Sequence, residues 1–330
     1  MTISLTRDRL VELLDLARGK RIAVIGDAML DVYLTGDVER ISPEAPVPVV
    51  RVRERKNALG GAANVAQNVV AVGAECDLVA VIGADPGGEA LCRLAAEMRI
   101  DSQSLIVVDR PTTMKTRIVA RSQQLVRVDE EVDDDLEAED VERLQSAISA
   151  AIDRADAVIL EDYDKGVLSH LVIRQAMERA NGRQVPVVVD PKFRHFFDYA
   201  GATIFKPNGR ELGAAMGAGT DIDHPATLPA MVKRLDVRYV LLTLGERGMA
   251  LFSGDGEIAR VPAHAREVYD VVGAGDTVTA YLASMLAAGA TVEEAATIAN
   301  IAAGLEVGKL GAATVSANEV IASFGEHVAG

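Results

Sequence analysis

Near the end of the chain, Asp270-Val271-Val272-Gly273-Ala274-Gly275-Asp276-Thr277 opens an Ala-rich helical pattern. Three small residues in a row let the backbone approach an anion closely, and the free N–H groups at a helix start are partly positive. A carboxylate at that point, Asp276, is suited to take a proton from an attacking hydroxyl. The backbone N–H groups of Gly273, Ala274 and Gly275 would then face a transferring phosphoryl group. Such a transfer needs positioning and charge stabilisation more than covalent chemistry. Taken alone, the same residues could form an ordinary glycine turn with Asp276 as a helix cap.

A second glycine element, Gly60-Gly61-Ala62-Ala63-Asn64, opens another helical pattern. The first apolar run ends in Gly26-Asp27, with Asp31 four residues later. Carboxylates just past the C-terminal end of a strand line the crevice of an open α/β sheet and can hold sugar hydroxyls by charge-assisted hydrogen bonds. Other nucleotide signatures are missing. No G-x-G-x-x-G follows the first strand, and the nearest approach to a Walker A loop, Gly304 to Lys309, is one residue short and continues with Leu310.

The elements that must position these groups alternate in type. Residues 21–27, 76–83, 156–162, 185–190, 202–207 and 239–245 read as buried strands. Helical patterns lie between them, at Ala62–Val72, Glu89–Met98 and Val172–Arg183 among others. The alternation predicts an α/β fold, a mostly parallel sheet covered by helices on both faces. A β-rich segment at Met249–Val261 precedes two Ala-rich helices, Gly275–Ala287 and Val292–Val307. Residues 34–55 and 111–127 break the rhythm: both are β-patterned with no helix after them, and the second suggests two strands joined near Ser122. Together they predict a small β lid or dimerisation subdomain, set on a main α/β unit of residues 1–33, 56–110 and 128–330.

Composition narrows the classes. Of 330 residues, 34 are Lys or Arg and 49 are Asp or Glu, a net charge of −15 that argues against nucleic acid or an anionic membrane as partner. The acidic run from Asp129 to Glu142 leads into a helix, where acids suit the positive N-terminal end. No apolar run reaches the about 20 residues needed to span a bilayer. The N-terminus reads as an amphipathic helix rather than a secretion signal. Cys76 and Cys92 fit buried thiols in a reducing compartment, and the five histidines show no metal-ligand spacing. A cytoplasmic protein is the expectation.

GGAAN early and DVVGAGDT late, on an alternating α/β chain, resemble the paired signatures of the ribokinase family of carbohydrate kinases. The similarity covers nearly the whole chain and implies a ribokinase-like fold with ATP and Mg²⁺ as cofactors. It implies that Asp276 is the catalytic base. Thr243, Gly245 and Gly248 resemble the family's Thr-x-Gly-x-x-Gly nucleotide strand. Asn208 and Glu211 resemble its Asn-x-x-Glu element, which helps organise Mg²⁺, through water by expectation. Lys206 stands where some members carry a phosphate-contacting lysine, and Asn300 and Ala303 resemble positions flanking the adenine pocket. Two positions depart from family habit: Val271 replaces a usual Thr, and Val278 a common Phe.

A narrower resemblance lies in Arg40 to Val50, Thr112 to Arg127, Asp162 to Leu168 and Asp190-Pro191-Lys192. These stretches are similar to the bacterial D-glycero-β-D-manno-heptose-7-phosphate kinases of lipopolysaccharide core biosynthesis. The resemblance implies phosphorylation at the anomeric hydroxyl, and a stand-alone form, because no HxGH-like nucleotidyltransferase motif follows. Asp27, Asp31, Gly60, Gly61, Asn64 and Asp162 are then the expected sugar contacts. A sugar that already carries a phosphate needs cations away from Asp276, and Lys115, Arg117, Lys165 and Lys192 are the candidates. Which of them binds the phosphate is left open. A fructokinase-like or phosphofructokinase-like specificity, or a sugar sensor without turnover, are the competing readings. Exposed apolar faces on the lid strands would be covered by a two-fold homodimer.

Overall fold

Short apolar runs become parallel strands when helices cover both faces of a sheet, since each strand is then buried on both sides. The computed structural model describes residues 5–121, 123–217, 224, 227–263, 271–309, 311 and 313–327. Asp270 and Ser122 lie outside them. The chain begins with α1 (Arg7–Ala17), β1 (Arg21–Gly26), β2 (Ala28–Ile41), β3 (Pro48–Gly61), α2 (Ala62–Val72), β4 (Glu75–Gly83), α3 (Pro86–Glu97) and β5 (Leu105–Val108). It continues through β6 (Met114–Ala120), β7 (Gln123–Glu130), α4 (Ala138–Arg154), β8 (Ala157–Glu161), α5 (His170–Gly182), β9 (Val187–Asp190), β10 (Ile204–Phe205) and α6 (Gly209–Met216). The last part holds α7 (Thr227–Leu235), β11 (Tyr239–Thr243), β12 (Met249–Ser253), β13 (Gly256–Val261), α8 (Ala274–Ala287), α9 (Val292–Glu306) and α10 (Ala317–His327).

Nine strands form the main sheet in the order β13-β12-β11-β10-β9-β8-β1-β4-β5. The strands from β11 to β5 run parallel, while β12 and β13 close one edge as antiparallel strands. The expected α/β architecture is therefore present. The six strands expected from sequence are all there, with ends trimmed by up to two residues. The short β5 was not anticipated.

Register decides which side chains face the chemistry. Parallel partners point to the same face, and successive residues alternate. Ile159, Val188 and Ile204 are partners across β8, β9 and β10 and join the core built on α1, α2, α8 and α9. Leu160, Val189 and Phe205 join the opposite core, against α4, α5 and α7. Two residues beyond the first set, Glu161, Asp190 and Lys206 must therefore emerge on the α8 face. Asp27 and Asp162 fall one residue out of step and turn the other way.

A second sheet of four strands has the order β3-β2-β6-β7. Its strands are longer than the β-patterned stretches 34–55 and 111–127, because β2 starts only one residue after β1 ends. The β2–β3 hairpin leads back through Gly60 and Gly61 into α2. At that return the chain passes against the β1–β2 junction. Gly61 has φ 56°, and a Cβ there would stand 2.3 Å from the Asp27 carbonyl oxygen. Glycine is the residue that tolerates both demands. Gly61→Ala should thus cost about 2 kcal/mol or more in stability, measured by denaturant unfolding. An unchanged midpoint would show that the junction can relax.

Candidate active site

Helix α8 starts at Gly273, which takes the left-handed conformation with φ 97°. Asp276 sits in the first turn, buried, with its carboxylate held from two directions. Asn64 Nδ2 on α2 donates to Oδ2 at 2.5 Å, and the Tyr163 hydroxyl donates to Oδ1 at 3.1 Å. Burial raises its pKa from 3.8 to about 6, and the negative charge of Asp190 adds to this. The Asn64 and Tyr163 donors and the Lys206 charge hold it from rising further. The Asn64 side chain is itself fixed by Gln67, and Thr277 donates to Asn68 at 3.2 Å, so a buried polar network ties α2 to α8. A Cβ on Gly275 would meet only Lys206 Nζ at 3.7 Å and Asp190 Oδ2 at 3.9 Å. Packing does not require glycine there; the space in front of that backbone is open to a ligand.

Beneath the helix start lie the ends of β8, β9 and the residue after β10. Lys206 Nζ reaches Asp190 Oδ2 at 2.8 Å, with both residues buried. Burial alone would lower the lysine's pKa, but Asp190 and Glu161 raise it. Glu161 is fully buried, and burial pushes its carboxyl well above the usual range, helped by Asp190 and Asp276. Neither Glu161 nor Asp190 stood among the expected site residues. The runs 157–161 and 187–190 are apolar up to their last residue and buried on both faces, so the side toward which that last residue points follows only from the register of the sheet.

The loop after β8 is organised by Asp27. Its carboxylate accepts from the backbone N–H groups of Tyr163 at 2.8 Å, Lys165 at 3.0 Å and Val167 at 3.2 Å. Burial still raises its pKa, because desolvation outweighs those three donors. Asp162 is likewise committed, accepting from Tyr199 Oη at 2.7 Å and Asp164 N at 2.8 Å; burial and the charge of Asp27 raise it to about 7. Two of the six residues expected to contact the sugar, Asp27 and Asp162, thus hold the backbone around Tyr163. Asp31 pairs with Arg117, and Gly60 packs against its carboxylate.

The four candidate phosphate cations separate into two groups. Lys115 and Lys165 both reach Glu131, each at 2.8 Å, and Lys115 also meets Asp129 at 3.3 Å. Arg117 joins them on the small-sheet side. Lys192 lies elsewhere: it pairs with Glu211 at 2.6 Å and sits 4.9 Å above the Tyr163 ring. It therefore belongs with Asp276, not at the far end of the pocket. Burial would lower its pKa, and the charges of Asp190 and Glu211 raise it well above the usual lysine range.

On the other side of the α8 start opens a cleft of about 780 Å³, a size that suits a nucleotide. Asn208, Thr243, Gly245, Gly248, Gly275, Asn300 and Ala303 all line it. So do Val271 and Val278, the two departures from family habit. Lys206 and Glu211 do not line it but sit at its inner end. Asn208 and Glu211 form a capping box at the start of α6: Asn208 Oδ1 accepts from the Arg210 and Glu211 N–H groups, and Glu211 Oε2 from Asn208 N, all at 2.9 Å. Asn300 Nδ2 donates to the Pro262 carbonyl at 2.8 Å, which fixes the cleft wall.

Residues 20–319 match the family described as pfkB family carbohydrate kinase. A D-beta-D-heptose 7-phosphate kinase of Bordetella bronchiseptica is 44% identical over 301 residues, covering 91% of this chain and 95% of that protein. The bifunctional protein HldE of Rhodospirillum rubrum is 45% identical over 306 residues, 92% of this chain but 62% of its own length. The chain thus spans less than two thirds of that longer relative. Among solved structures, Escherichia coli phosphofructokinase-2 aligns with a TM-score of 0.75 at 16% identity, covering 93% of this chain and 99% of that one. Arabidopsis thaliana ribokinase with ribose and ATP aligns at 0.72 and 21% identity, covering 92% and 98%. These likenesses establish the ribokinase-like fold.

Asp27→Asn replaces one acceptor oxygen with an amide that cannot satisfy the loop's N–H groups. A loss of about 2–3 kcal/mol is expected by chemical denaturation, with faster amide exchange at residues 163–167. Stability equal to wild type would return Asp27 to the list of ligand contacts.

Proposed function

Because the chain belongs to the pfkB family of carbohydrate kinases, we propose that it transfers the γ-phosphoryl group of ATP to the anomeric hydroxyl of D-glycero-β-D-manno-heptose 7-phosphate, giving the 1,7-bisphosphate. The observation that carries the chemistry is Asp276. It is a buried carboxylate at a helix start, ionised near neutral pH, between a nucleotide-sized cleft and the Asn64–Tyr163 wall. Support for the substrate comes from the likeness to the Bordetella bronchiseptica kinase over nearly its whole length.

In this reading the nucleotide fills the cleft, with its phosphates directed at the N–H groups of Gly273, Ala274 and Gly275. Lys206 and Lys192 add positive charge beside the phosphoryl group in flight. Asp276 takes the proton of the anomeric hydroxyl, and Asn64 and Tyr163 keep its carboxylate aimed. Mg²⁺, when bound near Asn208 and Glu211, would supply positive charge to the triphosphate. The fit of Asn208 and Glu211 to such an ion is through water: Glu211 is already shared by Lys192 and the Asn208 N–H, and the Asn208 oxygen serves two backbone donors. Lys115 and Lys165 are the best candidates for the substrate's own phosphate, because two ammonium groups already converge on one anionic group, Glu131.

The small sheet serves as a lid over the sugar in this proposal. It exposes Ile41, Val47, Val52, Val126 and Val128, an apolar surface that a second copy would cover. A homodimer through the lids is therefore part of the reading. So is a cytoplasmic setting, where ATP is available. No described helix is long and apolar enough to cross a membrane.

ADP release from MgATP should be rapid with the heptose 7-phosphate and weak with ribose, fructose or fructose 6-phosphate. Asp276→Asn should cut kcat by about 10²–10⁴ while leaving the sugar KM close to wild type. Preference for another sugar would keep the base and discard the substrate; near-normal turnover in the variant would discard the base.

The pH dependence has a defined sign. Asp276 must be ionised to act, so the rate should fall as pH drops through about 6. Tyr163 donates to the ionised form, so Tyr163→Phe should raise the Asp276 pKa and move the acid limb of the kcat profile to higher pH. An acid limb that stays fixed in this variant would remove Tyr163 from the base's surroundings.

A further inference from the structure

Glu131 opens the segment 131–137 that joins β7 to α4, and its two carboxylate oxygens are divided between two ammonium groups. Oε1 accepts from Lys165 Nζ and Oε2 from Lys115 Nζ, each at 2.8 Å. Lys115 belongs to β6 of the small sheet and Lys165 to the loop after β8 of the main sheet, so one side chain bridges the two. The three side chains are 16%, 15% and 27% exposed for Lys115, Lys165 and Glu131, shielded enough for the charges to act strongly on one another. Burial would raise the carboxyl's pKa, yet the two lysines hold it below the usual range.

The next residues of the segment are held in another way. Arg110 Nη1 donates to the Asp134 carbonyl at 3.2 Å, and Arg194 Nη1 to the Asp133 carbonyl at 2.7 Å. At Gly166, with φ 82°, a Cβ would stand 2.1 Å from the Asp134 carbonyl oxygen. Residues 133 and 134 are thus anchored through their backbone, whereas the grip on Glu131 is on a side chain that can turn away without moving the anchor. Arg127 serves the neighbouring Asp129 with two hydrogen bonds at 2.9 Å, which leaves Glu131 as the closest counter-charge of both lysines. A phosphate dianion presents the same pair of oxygens with about twice the charge. With Glu131 in place, a carboxylate would stand against it. We infer that Glu131 is a resident stand-in for the substrate's phosphate: it holds two mutually repelling lysines together in the free protein and is exchanged for the phosphate when the sugar binds. This rests on the placing of that phosphate at Lys115 and Lys165 proposed above. A sugar without a phosphate leaves Glu131 where it is, so the exchange sets specificity as well as affinity.

The test is calorimetric titration of the full chain, free of nucleotide and at fixed ionic strength, with heptose 7-phosphate, inorganic phosphate and the unphosphorylated heptose. Glu131→Gln keeps the shape and removes the competing charge, and should tighten both phosphate-bearing ligands about three- to tenfold without changing the unphosphorylated sugar. Asp133→Asn removes one negative charge from the same segment, beside Arg194, and should tighten them by less than about twofold. Lys115→Met and Lys165→Met should each weaken the phosphate-bearing ligands. Equal affinity in wild type and Glu131→Gln would overturn the inference, as would equal tightening in Asp133→Asn or of the unphosphorylated heptose. Weaker phosphate binding in Glu131→Gln would also overturn it, since Glu131 would then be a prop for the lysines and not an occupant of their site. If the lysine variants bind phosphate as wild type does, the substrate's phosphate lies elsewhere and the inference falls with that reading. If they weaken it while Glu131→Gln changes nothing, the reading stands and the inference alone fails.

Discussion

Charged groups buried within reach of one another are the constraint on which this site depends. Asp276, Asp190, Glu161 and Lys206 are all withdrawn from water, and the proton affinities of Asp276, Glu161 and Lys206 depend on the charges beside them. Such an arrangement is costly unless every charge meets a donor, an opposite charge or the positive end of a helix. The fold supplies all three around Asp276, Asp190 and Lys206, while neither carboxylate oxygen of Glu161 has a donor. Helix α8 presents its start, α2 brings Asn64, and the end of β10 delivers Lys206. The apolar cores on either side of the main sheet hold those elements at fixed separations, and that rigidity keeps the carboxylate of Asp276 aimed.

The sheet explains why one sequence carries two kinds of carboxylate. Around the strand ends of β1, β8 and β9, acidic residues fall on alternating faces. Those on the α8 face, Glu161 and Asp190, lie beside Asp276 and Lys206. Those on the other face, Asp27 and Asp162, bind backbone N–H groups and a tyrosine hydroxyl. Similar residues at neighbouring positions therefore do unlike work, and the side of the sheet assigns it.

Much of this was legible in the sequence. Apolar runs gave the strands and the Gly-Ala-Gly-Asp turn gave the helix start, since both signals are local. That Asn208, Thr243, Gly245, Gly248, Asn300 and Ala303 share one cleft was legible for the same reason, each lying in a short motif. That Asp27 accepts from Tyr163, Lys165 and Val167 was not legible, because these partners are about 140 residues distant and nothing in a local pattern reports them. The setting of Lys192 was not legible either, since it depends on Glu211 and on the Tyr163 ring, again contacts across the fold. Glu161 was overlooked because a carboxylate ending an apolar run reads as the strand's exit to solvent.

The single residue between β1 and β2 has a mechanical consequence. The chain crosses from the large sheet to the small one at Asp27, with no linker to absorb rotation. The same residue's carboxylate grips the loop that carries Tyr163, and its carbonyl oxygen accepts from Ala62 N at the return into α2. Asp27 is thus a joint shared by the two sheets, the loop that carries Tyr163 and the start of α2. A tilt of the small sheet would be transmitted, through this one aspartate, to the tyrosine that hydrogen-bonds Asp276.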